Sequence, residues 1–377
     1  MDKALAFFPW IYLDEPAEIG PLRLIPWVRG RAPRDLPEAK MADIDGVLSA
    51  YANRPGQPLS KATLLEYGDW HLGTDAAEVV STLFKVRELV GFSALSARKL
   101  FSQSFDYCSY DSYSLVVQRY QRESPGTFVF TSRRRDGGTN QFWSSDEYAF
   151  HRPHHVSDRT RFGASTRLLN ALVPPDKVPD YILAAISEFN LANTDSPDVP
   201  EHVEIIMMKS AFEWLFQINE RADEFCRNVK SIVKGPKDPS ALDTPHASEW
   251  LRKRPGSSRL IECWAKEFCD IRGVAAHGAI KRGAERFVWP EFHHLAFASV
   301  LFPLVVYQRL AELGVLEADD YDDERLANIE LYLATDPRPS PGRKYSPTHP
   351  WQDVESEALL DHHARRIYNS TNPKLGE

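Results

Sequence analysis

The chain has 377 residues, of which 43% are hydrophobic and 26% are charged, and its formal net charge is −8. This composition is typical of a folded globular protein of about two domains and excludes long stretches of disorder. The acidic balance also excludes a dedicated duplex-DNA-binding domain, which is usually basic, so any contact with nucleic acid would need local basic patches.

The cysteines and the apolar stretches indicate the cellular compartment. Four cysteines without CxxC spacing are too few for a disulfide scaffold in a chain of this length, which favours reduced thiols. The N-terminus lacks the basic region and the cleavage site of a signal peptide. The most apolar later stretch, 295–307, contains Pro303 and is shorter than the roughly 20 residues of a membrane-spanning helix. We therefore expect a cytoplasmic protein that makes no membrane contact.

The first part of the chain, over 1–165, predicts a β-rich mixed domain. The stretches FFPWIYL and IGPLRLIPW are typical of strands interrupted by proline and glycine, and residues 35–70 are polar and predict irregular structure. Asp75 and Glu78 have capping-box spacing and predict the start of a helix. Three β-branched and aromatic runs follow, SYSLVVQRYQ, TFVFTSRR and QFW, and the turn sequences between them predict a meander.

The second half of the chain changes to a helical period. An all-α bundle is predicted over 178–316, with helical segments at 178–193, 200–230, 257–277 and 291–314. Residues 317–377 are predicted to form a C-terminal extension, with a proline-rich linker at 336–350 and a short helix after it. The predicted fold class is therefore α+β, with a β-rich N-terminal domain followed by a helical bundle.

The helix predicted within 200–230 is apolar on two faces. One face carries Val203, Met207, Trp214, Ile218 and Phe225, and the roughly opposite face carries Ile205, Phe212 and Phe216. A helix with apolar residues on two sides is buried on both. We therefore expect the second face to contact the β-rich domain or another copy of the chain.

The helix predicted within 257–277 ends in the sequence DIRGVAAHG. Arg272 lies beside the apolar stripe that includes Ile271, and Gly278 is a good stop signal, so His277 is expected near the last turn. Five residues on an ideal helix leave Arg272 and His277 pointing about 140° apart. One regular helix therefore does not bring both side chains to one substrate atom, and each would need partners from elsewhere.

A long helix that carries AFEWLF, followed by a helix that ends in DIRGVAAHG, resembles the HEPN superfamily and, within it, the Apea-like HEPN proteins. The motif of that family is an arginine, four to six residues and a histidine, and Arg272 and His277 match its four-residue form. The likeness of the bundle covers about 180–315. IGPLRLIPW also looks like a segment of larger proteins in the group.

The resemblance implies a homodimer of helical bundles, in which the arginine and the histidine of two copies meet in a cleft. Such a protein would cut RNA without a metal or a cofactor, using the ribose 2′-hydroxyl as nucleophile, in antiviral defence or stress. Arg272 would hold the scissile phosphate and His277 would transfer protons. Gly273 stands where active members often carry a polar residue, so the alternative is a catalytically silent module that binds RNA or a protein partner.

Basic residues flank this helix on both sides in the sequence. The stretch LRKRPGSS contains Arg252, Lys253 and Arg254, and the stretch KRGAER contains Lys281 and Arg282. These side chains predict a surface that contacts RNA phosphates, with an affinity that falls as salt rises. A solvated loop is the alternative for the first stretch.

A histidine-rich stretch, EYAFHRPHH, contains His151, His154 and His155 beside acidic residues. Such density could suit zinc, but the spacing matches no helical metal motif and Pro153 indicates a loop. We prefer packing at the surface or between domains, and we expect no metal site. The sequence holds no GxGxxG, Walker loop, nucleophile elbow or HExxH motif, so nucleotide-cofactor and zinc-protease chemistry lose support.

Overall fold

The computed structural model of the chain describes most of its residues, in two compact units. The described residues are 2–31, 38–101, 107–121, 124–145, 150–157, 160–219, 221–236, 238–277, 287–338, 349–356, 360, 362 and 363. The first unit comprises Met1–Arg98, Phe105–Val178 and Thr194–Pro197, and the second comprises Lys99–Ser104, Pro179–Asn193 and Asp198–Glu377. An N-terminal sheet region precedes a mostly helical region, which confirms the predicted α+β class.

The strands of the described residues all lie in the first unit. They are β1 (Asp2–Phe8), β2 (Ala17–Ile19), β3 (Leu22–Val28), β4 (Tyr51–Arg54), β5 (Gln57–Pro58), β6 (Lys61–Tyr67), β7 (Val116–Gln121), β8 (Ser124–Arg133), β9 (Thr139–Ser145) and β10 (Phe150–His151). Within the described residues, seven of them form an antiparallel sheet in the order β2-β3-β6-β1-β7-β8-β9. The order of the smaller sheet is β10-β4-β5. The neighbours β7, β8 and β9 confirm the predicted meander.

The prediction of irregular structure over 35–70 was wrong. The segment contains α1 (Glu38–Leu48) and three strands, of which β6 lies between β3 and β1 in the sheet. Five consecutive residues of β6 are buried, because both faces of the strand are covered. A strand that is buried on both faces lacks the alternation of apolar and polar residues, so the sequence pattern did not reveal it.

The predicted capping box at Asp75 was also wrong. The next helix, α2 (Val80–Ala97), begins later, and Asp75 Oδ1 instead accepts the Ala77 N–H at 3.0 Å in the turn before it. Gly91 of α2 lies against a ring, since an added Cβ would be only 2.6 Å from Tyr110 Cε2. The last helix of the first unit is α3 (Thr166–Leu172), which Ser165 caps by accepting the Leu168 N–H.

The second unit is helical. Its helices are α4 (Asp180–Leu191), α5 (Glu201–Phe216), α6 (Ala222–Ile232), α7 (Pro245–Lys253), α8 (Leu260–His277), α9 (Glu291–Glu312), α10 (Asp320–Ala327) and α11 (Ile329–Ala334). Two helices replace the single segment predicted over 200–230, because Gln217 adopts a left-handed conformation with φ of 53° and ends α5. The sequence pattern missed α7, which starts at Pro245 after the capping residue Thr244.

An aromatic core joins four helices of this unit. Phe212 of α5 makes ring contacts with Phe225 of α6, with Trp264 and Phe268 of α8, and with Phe302 of α9. The Phe212 face of α5 is therefore the one that the bundle buries. Phe225, which the sequence pattern assigned to the opposite stripe, belongs to this core because the chain turns after α5.

The remaining stripe of α5 faces outward from this core. Val203 and Met207 are half-buried, and Trp214 is 50% exposed. Ile218, which the sequence pattern placed in the same stripe, follows the end of α5 and is half-buried. The described elements that pack closely on α5 are α4, α6, α8 and α9, all from the same unit. The stripe is therefore an apolar surface that its own bundle leaves partly uncovered.

Among the described residues, α9 is the one helix long and apolar enough to cross a membrane, by length and composition alone. In the structure, 78% of an apolar 18-residue stretch of α9 is buried inside the protein. Burial of this extent is typical of a core helix, and the ring contact of Phe302 with Phe212 shows α9 in that position.

The described part of the predicted C-terminal extension packs within the second unit. α11 lies against α7 and α8, and the fully buried Trp351 donates its indole N–H to Tyr332 O at 2.9 Å. Phe101, from the separate segment Lys99–Ser104, makes ring contacts with both Tyr332 and Trp351. Most of the predicted linker, 339–348, lies outside the described residues.

Candidate functional site

The candidate motif lies on the C-terminal half of α8. The helix is unbroken from Leu260 to His277, so the side chains of Arg272 and His277 leave it about 140° apart. Arg272 is half-buried, and His277 is exposed at the last residue of the helix. One copy of the chain therefore presents the two side chains on different faces of α8.

A buried carboxylate fixes this half of α8 to the start of α9. Glu267 is fully buried, and its Oε1 accepts the backbone N–H groups of Val288 at 2.7 Å and Trp289 at 3.1 Å. The same oxygen lies 3.3 Å from His294 Nε2 on α9. Glu267 Oε2 accepts a hydrogen bond from Arg254 Nη2 at 3.2 Å. These contacts hold α8, the chain before α9 and α9 itself in one arrangement.

Titration of this cluster follows from burial and hydrogen bonding. Burial alone would raise the pKa of the Glu267 carboxyl, but the hydrogen bonds and charge of its partners outweigh burial and hold that pKa below its ordinary value. Burial lowers the pKa of His294, which Glu267 only partly offsets. Glu267 is therefore ionised, its Oε1 accepts from His294 Nε2–H, and Arg254 pairs with its other oxygen.

A cavity of about 240 Å³ lies beside the last turns of α8. Its described lining residues are Ile271, Val274, Phe287, Val288, Trp289, Pro290 and Glu291. Val274 and His277 are three residues apart and therefore neighbours on the helix surface. The cavity thus opens next to the side of α8 that carries His277, and its walls are largely apolar.

The basic residues predicted to contact RNA phosphates differ in their surroundings. Arg252 is exposed on the last turn of α7. Lys253 Nζ donates to Phe287 O at 2.5 Å, and Arg254 pairs with both Asp270, at 2.5 Å, and Glu267. The charged groups of Lys253 and Arg254 therefore already contact groups of the same chain, which makes Arg252 the better candidate for an RNA phosphate. Lys281 and Arg282 lie outside the described residues.

Gly273 lies on an open part of the helix. A Cβ built on this residue meets no described atom within 4 Å apart from its chain neighbours and the backbone of its own helix. Packing in the described structure therefore does not require a glycine beside Arg272.

The sequence prediction missed Glu267 and the cavity. Glu267 follows Trp264 by three residues and precedes Ile271 by four, so it falls inside the apolar stripe of α8. A charged residue within such a stripe signals a buried ion pair, and that signal was present in the sequence. The cavity carried no comparable signal, because its walls come from two separate segments of the chain.

The histidine-rich stretch lies in the first unit. His155 Nε2 is 2.8 Å from Asp111 Oδ2, whereas His151 and His154 are exposed. In the described part of the chain, no group of three or more His, Cys, Asp or Glu side chains could hold a metal ion. The acidic residues Asp146 and Glu147 lie outside that part.

The chain matches no family model, no curated protein sequence and no solved structure. The likeness to HEPN proteins therefore stays a prediction from the motif that contains Arg272 and His277.

Proposed function

We propose that this protein is a metal-independent RNA endonuclease of the HEPN type that acts as a homodimer. The observation that carries the proposal is the placement of Arg272 and His277 on one unbroken helix, with His277 exposed at its end. Because one copy directs the two side chains apart, a second copy has to complete each site. Arg272 of one copy would then act with His277 of the other.

The two residue types suit cleavage through the ribose 2′-hydroxyl. Attack of that oxygen on the phosphorus needs a proton acceptor, a proton donor for the leaving 5′-oxygen and a cation for the phosphate oxygens. Histidine transfers protons near neutral pH. Arginine offers a planar fork of N–H donors that keeps its charge. The products would be a 2′,3′-cyclic phosphate and a free 5′-hydroxyl.

The surroundings of α8 offer contacts for the rest of an RNA strand. The cavity beside Val274 has largely apolar walls, which suit an unstacked nucleobase better than a phosphate. Exposed Arg252 lies on the neighbouring helix α7 and suits phosphate binding, as do Lys281 and Arg282 by sequence. The outward stripe of α5, which ends in the exposed Trp214, offers an apolar surface for the second copy.

Cleavage of a mixed RNA pool in EDTA tests the proposal. Wild-type protein is expected to cut and to leave cyclic-phosphate ends, whereas Arg272→Ala and His277→Ala should each lose at least about 100-fold in rate. Dimers formed from equal amounts of the two variants should regain about a quarter of wild-type activity, since half of them hold one intact site of two. A mixture as inactive as its components would rule out the shared site.

A catalytically silent module that binds RNA or a protein is the second candidate, and Gly273 favours it because active relatives in the family often carry a polar residue there. Wild-type protein that binds the RNA pool, leaves it intact and binds less after Arg252→Ala would support this candidate. Cleavage that requires an added metal and survives His277→Ala would contradict both.

A further inference from the structure

The cavity beside α8 has a single acidic residue among its described lining residues. Glu291, at the start of α9, is half-buried and lines the cavity together with the apolar side chains of Ile271 and Val274 on α8. Among the described residues, none donates a hydrogen bond to the Glu291 carboxylate or forms an ion pair with it. The cavity therefore combines apolar walls with a carboxylate whose acceptor capacity the described chain leaves unused.

Hydrogen bonds within the protein hold one wall of this cavity in place. The backbone N–H groups of Val288 and Trp289, both lining residues, donate to Glu267 Oε1 at 2.7 and 3.1 Å. The wall is therefore formed before any ligand arrives, and these two donors are already used. A ligand in the cavity would have to make polar contacts with other groups, of which the Glu291 carboxylate is one.

The size and chemistry of the cavity suit a single planar heterocycle that carries N–H donors. Its volume of about 240 Å³ lies below the roughly 300–1,000 Å³ of sites for drug-sized ligands. A carboxylate accepts hydrogen bonds through both oxygens and repels carbonyl and ring-nitrogen acceptors. Guanine presents two neighbouring donors, N1–H and the 2-amino group, on one edge. Adenine and cytosine present a donor beside an acceptor, and uracil presents a donor between two acceptors.

We propose that this cavity is a guanine-binding site in which the Glu291 carboxylate accepts hydrogen bonds from N1–H and the 2-amino group. The apolar side chains of Ile271 and Val274 would contact the ring. A free guanine nucleotide and a guanine within RNA offer the same edge to the carboxylate. For RNA the inference rests on the proposed nuclease function: Val274 and His277 are neighbours on α8, so a guanine in the cavity would lie beside the bond that is cut.

Calorimetric titration of the full-length protein with nucleotides tests the site without any need for cleavage. Guanosine 5′-monophosphate should bind about 10-fold more tightly than inosine 5′-monophosphate, since inosine lacks only the 2-amino group and so loses one hydrogen bond to a carboxylate. The phosphate is the same in both, so contacts with it cancel. Adenosine and uridine monophosphates should also bind more weakly. Equal affinities for all four nucleotides, or no binding of any, would overturn the proposal.

Substitutions locate the site in the cavity. Glu291→Gln should weaken the binding of guanosine monophosphate and reduce its advantage over inosine monophosphate, whereas Val274→Phe should weaken both by narrowing the cavity. Glu312→Gln, exposed at the other end of α9, is the matched control and should change neither. If a variant fails to fold, the comparison of the two nucleotides on wild-type protein still decides the question.

Glu291 also lies in the first turn of α9, where a negative charge stabilises a helix. This role alone would lower the melting temperature of Glu291→Gln and leave its preference for guanosine over inosine monophosphate unchanged. That result would contradict the inference.

An RNA with one guanosine among uridines separates the two sources of guanine and the two proposals. Cleavage beside the guanosine, about 10-fold slower when inosine replaces it, is the result expected for a site that reads RNA. Selective binding of guanosine monophosphate without cleavage would refute the nuclease and support a site for a free nucleotide. Cleavage without regard to the guanosine, by a protein that does not select guanosine monophosphate, would refute the guanine site and leave the nuclease proposal standing.

Discussion

The Glu267 carboxylate lies inside the helical unit, and its hydrogen-bond donors come from three separate parts of the chain. Arg254 follows α7, Val288 and Trp289 precede α9, and His294 lies within α9. A buried carboxylate with this many donors is satisfied, but its removal leaves several polar groups without a partner. The position of the last turns of α8 therefore depends on one fully buried side chain.

Replacement of the buried Glu267 is expected to destabilise the protein more than replacement of an exposed glutamate. Glu267→Ala should lower the free energy of unfolding in urea by about 3–5 kcal/mol, since it breaks a buried ion pair. Glu267→Gln keeps an oxygen for the two backbone N–H groups and should lose less. Glu312→Ala, which removes an exposed pair with Arg309, is the control and should cost under about 1 kcal/mol. Equal losses for Glu267→Ala and Glu312→Ala would contradict the structural role.

The helices differ in how far the sequence predicted them. The helix α8 could be predicted because one apolar stripe runs along the segment 257–277, within which the structure places Leu260–His277 in the helix. The break after α5 could not, because Gln217 adopts a left-handed conformation that is uncommon for residues other than glycine. α7 is short and its apolar positions are few, so its sequence does not stand out from the loop around it. Local signals therefore predicted long helices and missed breaks that tertiary packing imposes.

The outward stripe of α5 leads to a prediction about association. Trp214→Glu should raise the dissociation constant of the proposed dimer by roughly 100-fold, because the interface would have to bury a charge. Analytical ultracentrifugation checks this as a shift of mass toward the monomer. Leu313→Glu is the control, since Leu313 is 47% exposed at the end of α9, outside the stripe. A wild-type protein that is monomeric at all concentrations would refute the shared active site.

For the whole molecule, the change from strand to helix periodicity predicted the fold class, whereas the candidate site was predicted only in part. Arg272 and His277 share a short motif, so the sequence alone could identify them. The partners of Glu267 and the walls of the cavity are residues far apart in the chain. A local sequence pattern does not show which distant residues are in contact, so these features could be identified only from the structure.

Buried and half-buried histidines of the second unit predict how the stability of the protein depends on acid. His246, His293, His294 and His349 lie within one cluster of rings that includes Trp289 and Trp351. Burial lowers the pKa of each histidine, that of His293 to about 4. The unfolded chain binds protons near pH 6.5 that the folded chain does not, so stability is full above that pH and falls as pH falls toward 4.

The melting temperature should therefore drop between pH 7 and pH 5, a range above the titration of most carboxylates. His293 alone should account for about 1–2 kcal/mol at pH 5. His293→Gln should make the pH dependence shallower, whereas His154→Gln, at an exposed position, should leave it unchanged. Differential scanning calorimetry in buffers of matched ionic strength provides the measurement. Parallel pH profiles for wild type and His293→Gln would contradict the assignment.

The segment Lys99–Ser104 belongs to the second unit although it lies within the sequence of the first. A fragment beginning at Pro179 would lack Phe101 and leave a gap beside Tyr332 and Trp351. Loss of a buried phenylalanine side chain typically costs about 3–5 kcal/mol. A fragment that contains only the helical half would therefore have a lower free energy of unfolding. Any attempt to isolate that half would have to supply residues 99–104 as a fused segment or a separate peptide.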